Sequence, residues 1–267
     1  MAQKHHHKSN RGNRNTSWNS VAEWYNGWMG KRGGKHHRKI AIPTTMRLLN
    51  IQAGMKILEI GAGQGVLAPH IAQAGGIYTG IEISDRLLHY AQKNHRKAGT
   101  FLLGDARKLK SHPDLQKESF DAVVFMMSIQ DMEPLDQVLK SASWVLRAGG
   151  CIVLFILHPC FRVPRQSGWG WDKFRKLQYR RIDRYLTSLE MPMNPNLRHK
   201  QGRTLSFHRP LNRYINGLAQ CSLLVERIEE IPTYEIIKPP EPNAKAINQA
   251  NQEIPLFLGI RAYKLTS

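Results

Sequence analysis

The sequence predicts an α/β fold built on a mostly parallel sheet. Three observations carry the prediction. First, five short segments (56–60, 77–83, 100–103, 120–126 and 151–157) are mainly Ile, Val, Leu and Phe, or flanked by them. Near-continuous apolar runs of that length suit strands buried on both faces. Second, the stretches between them repeat their apolar residues every three or four positions, the period of a helix. Third, Gly, Ser and Pro stand at the junctions, where the chain must turn or a helix must start or stop. Strands alternating with helices imply a parallel sheet covered on both faces.

In chain order, residues 1–17 are polar and basic and read as a disordered tail. The run Lys4-His5-His6-His7-Lys8 lies inside it. Trp18, Val21, Trp24, Tyr25, Trp28 and Met29 then recur at helical spacing, which reads as an amphipathic helix that must bury against something and that Gly30 and Gly33-Gly34 end. Lys56–Ile60 is the first strand. A glycine loop follows it, then a helix through Val66, Leu67 and Ile71 that ends at Gly75-Gly76. After the strand Ile77–Ile83, the Ser84 hydroxyl can accept an unpaired N–H and so cap a helix carrying Leu87, Leu88 and Ala91. Thr100–Leu103 and Phe120–Met126 are the third and fourth strands. Pro134 suits the first turn of a helix through Leu135, Val138, Leu139, Ala142 and Val145, closed by Gly149-Gly150. Cys151–Leu157 is the fifth strand. After a segment with little periodicity, Leu211–Leu218 reads as a helix. Ser222–Ile231 and Pro255–Leu265 read as strands joined by a Pro-rich connection, and the pair can be antiparallel because the alternation has stopped.

The chain of 267 residues has a formal net charge of +19. Residues 1–39 hold nine Lys/Arg and one acid; residues 162–213 hold thirteen and three. The remainder is almost neutral. A neutral domain carrying a basic arm and a basic insertion can attract nucleic acid, an anionic surface or an anionic small molecule. The longest apolar run, Cys151–Leu157, is seven residues, against the ~20 that span a bilayer. Cys151, Cys160 and Cys221 form no CxxC pair, so a reduced, cytoplasmic protein is expected. No spacing of His and Cys suits a metal.

The sharpest motif is Glu59-Ile60-Gly61-Ala62-Gly63-Gln64-Gly65, between a strand and a helix. The glycines allow a tight turn and close backbone approach, and a helix N-terminus offers N–H groups to a carboxylate or phosphate. Glu82 ends the second strand, where it could accept both hydroxyls of a ribose. Asp105 and Ala106 follow the third, where a carboxylate and an N–H could meet adenine. The spacing is G-x-G-x-G; Val66 stands where the G-x-G-x-x-G fingerprint of nicotinamide dinucleotide binding requires its last glycine.

This stretch resembles the class I S-adenosylmethionine-dependent methyltransferases of the small-molecule, type 11-like branch, closely over about 40–160 and loosely over 211–265. The resemblance implies a Rossmann-like sheet of seven strands in the order 3-2-1-4-5-7-6, strand 7 antiparallel, with a lid insertion after strand 5. It divides the chain into a tail (1–17), a lid helix (18–39), a cofactor-binding domain (40–161 and 211–267) and an acceptor-side insertion (162–210). It implies S-adenosyl-L-methionine as cofactor, S-adenosyl-L-homocysteine as product and O- or N-methylation of an anionic or aromatic acceptor. Glu59, Gly61, Ala62, Gly63 and Gly65 would surround the methionine part, Glu82 with Ile83 the ribose, and Asp105 with Ala106 the adenine. Met126 and Met127 would face the sulfonium, Tyr25 would cover the cofactor, and His37 would face the same pocket. Gln130-Asp131 occupies a loop where the family often has His or Asp.

Methyl transfer needs alignment, exclusion of water and, for a hydroxyl or ammonium nucleophile, a base. His158, fixed by Pro159 after strand 5, and His208, at the start of the last helical stretch, are the candidates; a strand-capping role for His158 is the alternative. Gln130, Trp169, Trp171, Tyr185 (on a helical reading of its neighbourhood) and Arg209 are candidates for the acceptor side. Met126-Met127-Ser128-Ile129-Gln130 stands where amino-group nucleobase methyltransferases of the family carry an Asn-Pro-Pro-Tyr type tetrapeptide. An RNA acceptor, held by the two basic segments, is the alternative to a small molecule.

Overall fold

The computed structural model describes residues 18–193 and 204–266. The predicted tail, and part of the insertion, lie outside them. Seven strands form one sheet: β1 (Lys56–Ile60), β2 (Ile77–Glu82), β3 (Thr100–Leu103), β4 (Phe120–Met126), β5 (Leu146–Leu157), β10 (Leu223–Ile231) and β11 (Phe257–Lys264). Their spatial order is β3-β2-β1-β4-β5-β11-β10. The first five are mutually parallel; β11 runs antiparallel to both β5 and β10. This is the expected order. The last two strands are tenth and eleventh because the insertion adds two hairpins, β6 (Ser167–Asp172) with β7 (Leu177–Ile182) and β8 (Leu189–Met193) with β9 (Thr204–His208).

The apolar runs fold this way because alternate residues enter opposite cores. In β4, Val123 and Phe125 join one cluster, while Ala122, Val124 and Met126 join the other. In β5, Ile152, Leu154 and Ile156 face the first and Cys151, Val153 and Phe155 the second. Helices α5 (Leu135–Val145) and α6 (Leu211–Ala219) close the first face. Helices α1 (Ala22–Met29), α2 (Ile42–Leu49), α3 (Ala68–Gln73) and α4 (Asp85–His95) close the second. The Ser84 cap is present: its Oγ accepts from Leu87 N at 3.2 Å. No helix among the described residues is long and apolar enough to cross a membrane.

Gly30 (φ +63°) ends α1 as expected, and a separate helical stretch leads through His37–Ala41 into α2. Four expectations change. On α1 the apolar stripe is only partly core, because Trp24 and Trp28 stack on each other at 5.9 Å and stay 43% and 62% exposed. Gly149-Gly150 does not cap α5; it forms a bulge within β5, where Leu146 pairs Phe120 and Cys151 pairs Ala122. A Cβ on Gly150 would come within 2.9 Å of Asp121 O. The Pro-rich connection holds a helix, α7 (Ala244–Glu253), and Tyr185 lies on no helix.

Candidate functional site

The carboxyl ends of β1, β2 and β4 open into a cleft of about 990 Å³, counting the open solvent at its mouth. Parallel sheets place ligands here, where neighbouring connections leave to opposite sides of the sheet. The floor is the glycine loop. Gly61, Gly63 and Gly65 all have positive φ (+74°, +56° and +76°). The chain turns so tightly that a Cβ on Gly61 would sit 2.7 Å from Ser128 Cβ, and one on Gly65 2.6 Å from Phe101 Cε1. A Cβ on Gly63 would instead approach only Tyr25, at 3.9 Å, across the cleft.

The loop's own N–H groups are largely committed within the protein. Gly61 N and Ala62 N donate to Ile81 O at 2.9 and 3.1 Å. Gly63 N donates to Glu82 Oε2 at 2.8 Å, and Ser84 N to Glu82 Oε1 at 2.9 Å. Glu82 thereby fastens the loop to the end of β2 and keeps one lone pair on each oxygen for a further donor.

The lining is acidic in a basic chain. Glu59, Glu82, Asp105, Asp131 and Glu133 face Arg107 and His37. Glu59 is buried and accepts from Tyr78 Oη at 2.5 Å; burial pushes its carboxyl up to about 8. Burial also pushes Asp131 up, to about 7, although Ser206 and Arg209 favour its charged form. Burial raises Glu82, opposed by its backbone donors. Burial and the neighbouring His36 pull His37 down to about 4, so it is neutral at pH 7. A cavity lined by desolvated carboxylates favours a cationic guest, whose charge restores their ionised forms.

Two cleft residues have buried oxygens without a protein partner: Gln64 Oε1 and Asp131 Oδ1. Asp131 sits in the single turn Ile129–Asp131 after β4. Arg209, only 4% exposed, pins that turn by donating to Ile129 O at 3.4 Å and to Met132 O, and by pairing with Glu133 at 2.5 Å.

The cleft brings together Tyr25, Glu59, Gly61, Ala62, Gly63, Glu82, Ile83, Asp105, Ala106, Met126 and Met127, and also His37. Gly65 lies behind it, packed on Phe101. Asp105 lines the cleft, but its two oxygens accept from Arg107 N, Nε and Nη2 at 2.6–3.0 Å. Trp18 adds to the lid, meeting Tyr25 edge-on at 5.3 Å.

The other expected residues lie elsewhere. His158 is 1% exposed; its Nε2 meets Glu230 at 2.8 Å and its Nδ1 accepts from Cys160 N at 3.2 Å. That is the strand-capping arrangement. His208 Nε2 bonds Tyr185 O at 2.7 Å. Neither lines the cleft. Gln130 Oε1 accepts from Leu157 N at 3.2 Å, and Tyr185 Oη accepts from Leu211 N at 2.8 Å. Arg209 is a buried structural cation instead of an open anion clamp. Trp169 and Trp171 lie in β6, outside the cleft lining. Sequence reasoning left Asp131, Gln64 and Arg107 without roles. For Asp131 a signal existed, its place in the loop after strand 4.

The family described as "Methyltransferase domain" matches residues 58–154. A demethylmenaquinone methyltransferase of Tropheryma whipplei (strain Twist) is 29% identical over 108 residues, 40% of this chain and 44% of that protein. The chain spans about half the length of the curated relatives it matches. Two solved structures share the fold. One is an S-adenosylmethionine dependent methyltransferase from Mesorhizobium loti (TM-score 0.63, 21% identity, 88% of this chain and 100% of that one). The other is 1,6-didemethyltoxoflavin-N1-methyltransferase of Burkholderia thailandensis with 1,6-didemethyltoxoflavin and S-adenosylhomocysteine bound (TM-score 0.53, 13% identity, 92% and 85%).

Proposed function

We propose that this chain, which carries a class I S-adenosylmethionine-dependent methyltransferase domain, methylates a small-molecule acceptor and uses Asp131 to take the acceptor's proton. The observation that carries the reading is the acid-lined cleft of a basic chain, with Asp131, whose buried Oδ1 has no partner among the described residues, in its lining. The residues fit the cofactor. Glu82 has lone pairs for ribose hydroxyls. Gly63 leaves room opposite Tyr25, with Glu59 and Gln64 in the lining beside the glycine loop. Asp105 reaches an adenine amine by sharing lone pairs that Arg107 already engages; Ala106 supplies an N–H. When bound, S-adenosylmethionine supplies a methyl group already activated on a sulfonium.

The chain's own work is positional and acid–base. Trp18, Tyr25 and Met29 shield the cleft from water. Arg209 holds the turn 129–131 in place, and with it the Asp131 carboxylate. Asp131, ordinarily ionised well below neutral pH, is held by burial near the range where a carboxylate both exists as base at pH 7 and binds a proton well. An acceptor hydroxyl or ammonium beside the Asp131 carboxylate gives up its proton there, and the electron pair left on the oxygen or nitrogen takes the methyl group, whose bond to sulfur breaks to leave a neutral thioether. The relatives include a demethylmenaquinone methyltransferase, which supports an aromatic acceptor.

The test is incubation with S-adenosylmethionine labelled on its methyl group, with small-molecule extract and total RNA offered separately. Label in the small-molecule fraction, lost in Asp131→Asn, is the expected result. Label in RNA overturns the acceptor class, and label in neither overturns the activity.

A further inference from the structure

Outside the cleft, two arginines with no anionic partner among the described residues meet at the base of the insertion hairpin. Arg162 lies in the turn after β5, its N–H bonded to His158 O at 2.9 Å. Arg180 in β7 is the direct cross-strand partner of Trp169 in β6. Both guanidinium carbons lie 5.2 Å from the centroid of the Trp169 ring. Arg180 donates to Phe161 O at 2.8 Å and Ser167 Oγ at 2.9 Å, which ties the hairpin to the turn that carries Arg162. The Arg162 guanidinium has no protein acceptor among the described residues, and its Nε is buried without a partner. Burial and the charge of Arg180 pull Arg162 down to about 10.

Neither arginine forms an ion pair among the described residues. Residues 1–17 and 194–203 contain no Asp or Glu. So no carboxylate side chain anywhere in the chain serves as the missing counterion. Two desolvated like charges held on one aromatic ring are unfavourable without an anion between or beside them. Guanidinium groups are suited to take carboxylate or phosphate oxygens in pairs.

We infer that Arg162 and Arg180, set against Trp169, form an oxyanion site for a carboxylate or phosphate group. The site stands at the carboxyl end of β5, the same end of the sheet as the cleft. On the reading under Proposed function, which this assignment deepens, the anion is part of the acceptor.

The test uses the full chain and two probes, inorganic phosphate and benzoate, at ionic strength matched with chloride. The readouts are the arginine Nε–H resonances and the thermal midpoint. One probe or both should shift Arg162 saturably and raise the midpoint, and which one succeeds separates phosphate from carboxylate. Arg162→Met, which leaves the Arg180 anchors intact, should weaken that binding at least tenfold, while Arg181→Met should leave it unchanged. Shifts no greater than chloride's, or full binding in folded Arg162→Met, would overturn the site. S-adenosylhomocysteine affinity should be equal in wild type and Arg162→Met. Absence of cofactor binding in wild type would therefore count against the methyltransferase reading and leave the oxyanion site standing.

Discussion

Asp131 and Glu59 are both buried acids, yet burial gives them different consequences. Asp131 lines the cleft and has an oxygen with no partner among the described residues, so on the proposed reading its raised affinity for protons serves the reaction. Asp131→Asn should lower kcat by ~10²–10⁴, the usual worth of a general base. Cofactor affinity should hold, and the acid limb of the pH–rate profile, with its midpoint near about 7, should disappear. Glu59 is closed in by Tyr78, and its effect falls on stability. Its folded value of about 8 lies above the ordinary 4.5. The native state therefore keeps a proton that the unfolded chain has released. Its contribution is full below the unfolded value and is lost as pH rises to about 8. Glu59→Gln should reduce the loss of unfolding free energy between about pH 5 and about pH 9 by about 1–4 kcal/mol. Denaturant titrations at the two pH values check this. A wild-type protein that gains stability with pH over that range would contradict it.

At the scale of elements, the glycine loop couples fold to site. Gly65 is in the left-handed region and its missing Cβ faces Phe101 at 2.6 Å. Gly65→Ala should cost about 2–4 kcal/mol of stability through backbone strain and overpacking, measured by denaturant unfolding. Elements of this kind were legible because one demand dominated each. Val123, Phe125 and their alternates had to be apolar on both faces, and Leu87, Leu88 and Ala91 had to share one helix face. Where demands were mixed, the sequence was silent or misleading. Ala244–Glu253 buries only Ala244 and Ala250, so its polar residues carry little helical period. The insertion strands are half-exposed, and their Arg and aromatic residues pack on each other rather than on a core. The cofactor side of the cleft could be read from strand ends. The surroundings of His158, His208 and Arg209 could not. Their partners Glu230, Tyr185 and Glu133 are 72, 23 and 76 residues away in sequence.

Across the whole molecule, charge is divided by task. The +19 lies mainly in residues 1–39 and 162–213, while the cleft is lined with acids. On the proposed reading the basic segments serve the acceptor side, and the acid-lined cleft serves a cation. Removing residues 1–17 takes away four Lys/Arg and no acid. Cofactor affinity should then change by less than about twofold, since the lining of the cleft among the described residues runs from Trp18 to Glu133; equilibrium dialysis would show a larger loss if the arm helped hold the cofactor. The central claim, that the cleft is a cofactor site, has one direct measurement. S-adenosylhomocysteine is titrated calorimetrically into wild type, Glu82→Ala and Asp105→Ala, each checked for folding by circular dichroism. The account predicts binding to wild type and at least tenfold weaker binding to both folded variants; no binding to wild type, or unchanged affinity in both variants, would contradict it.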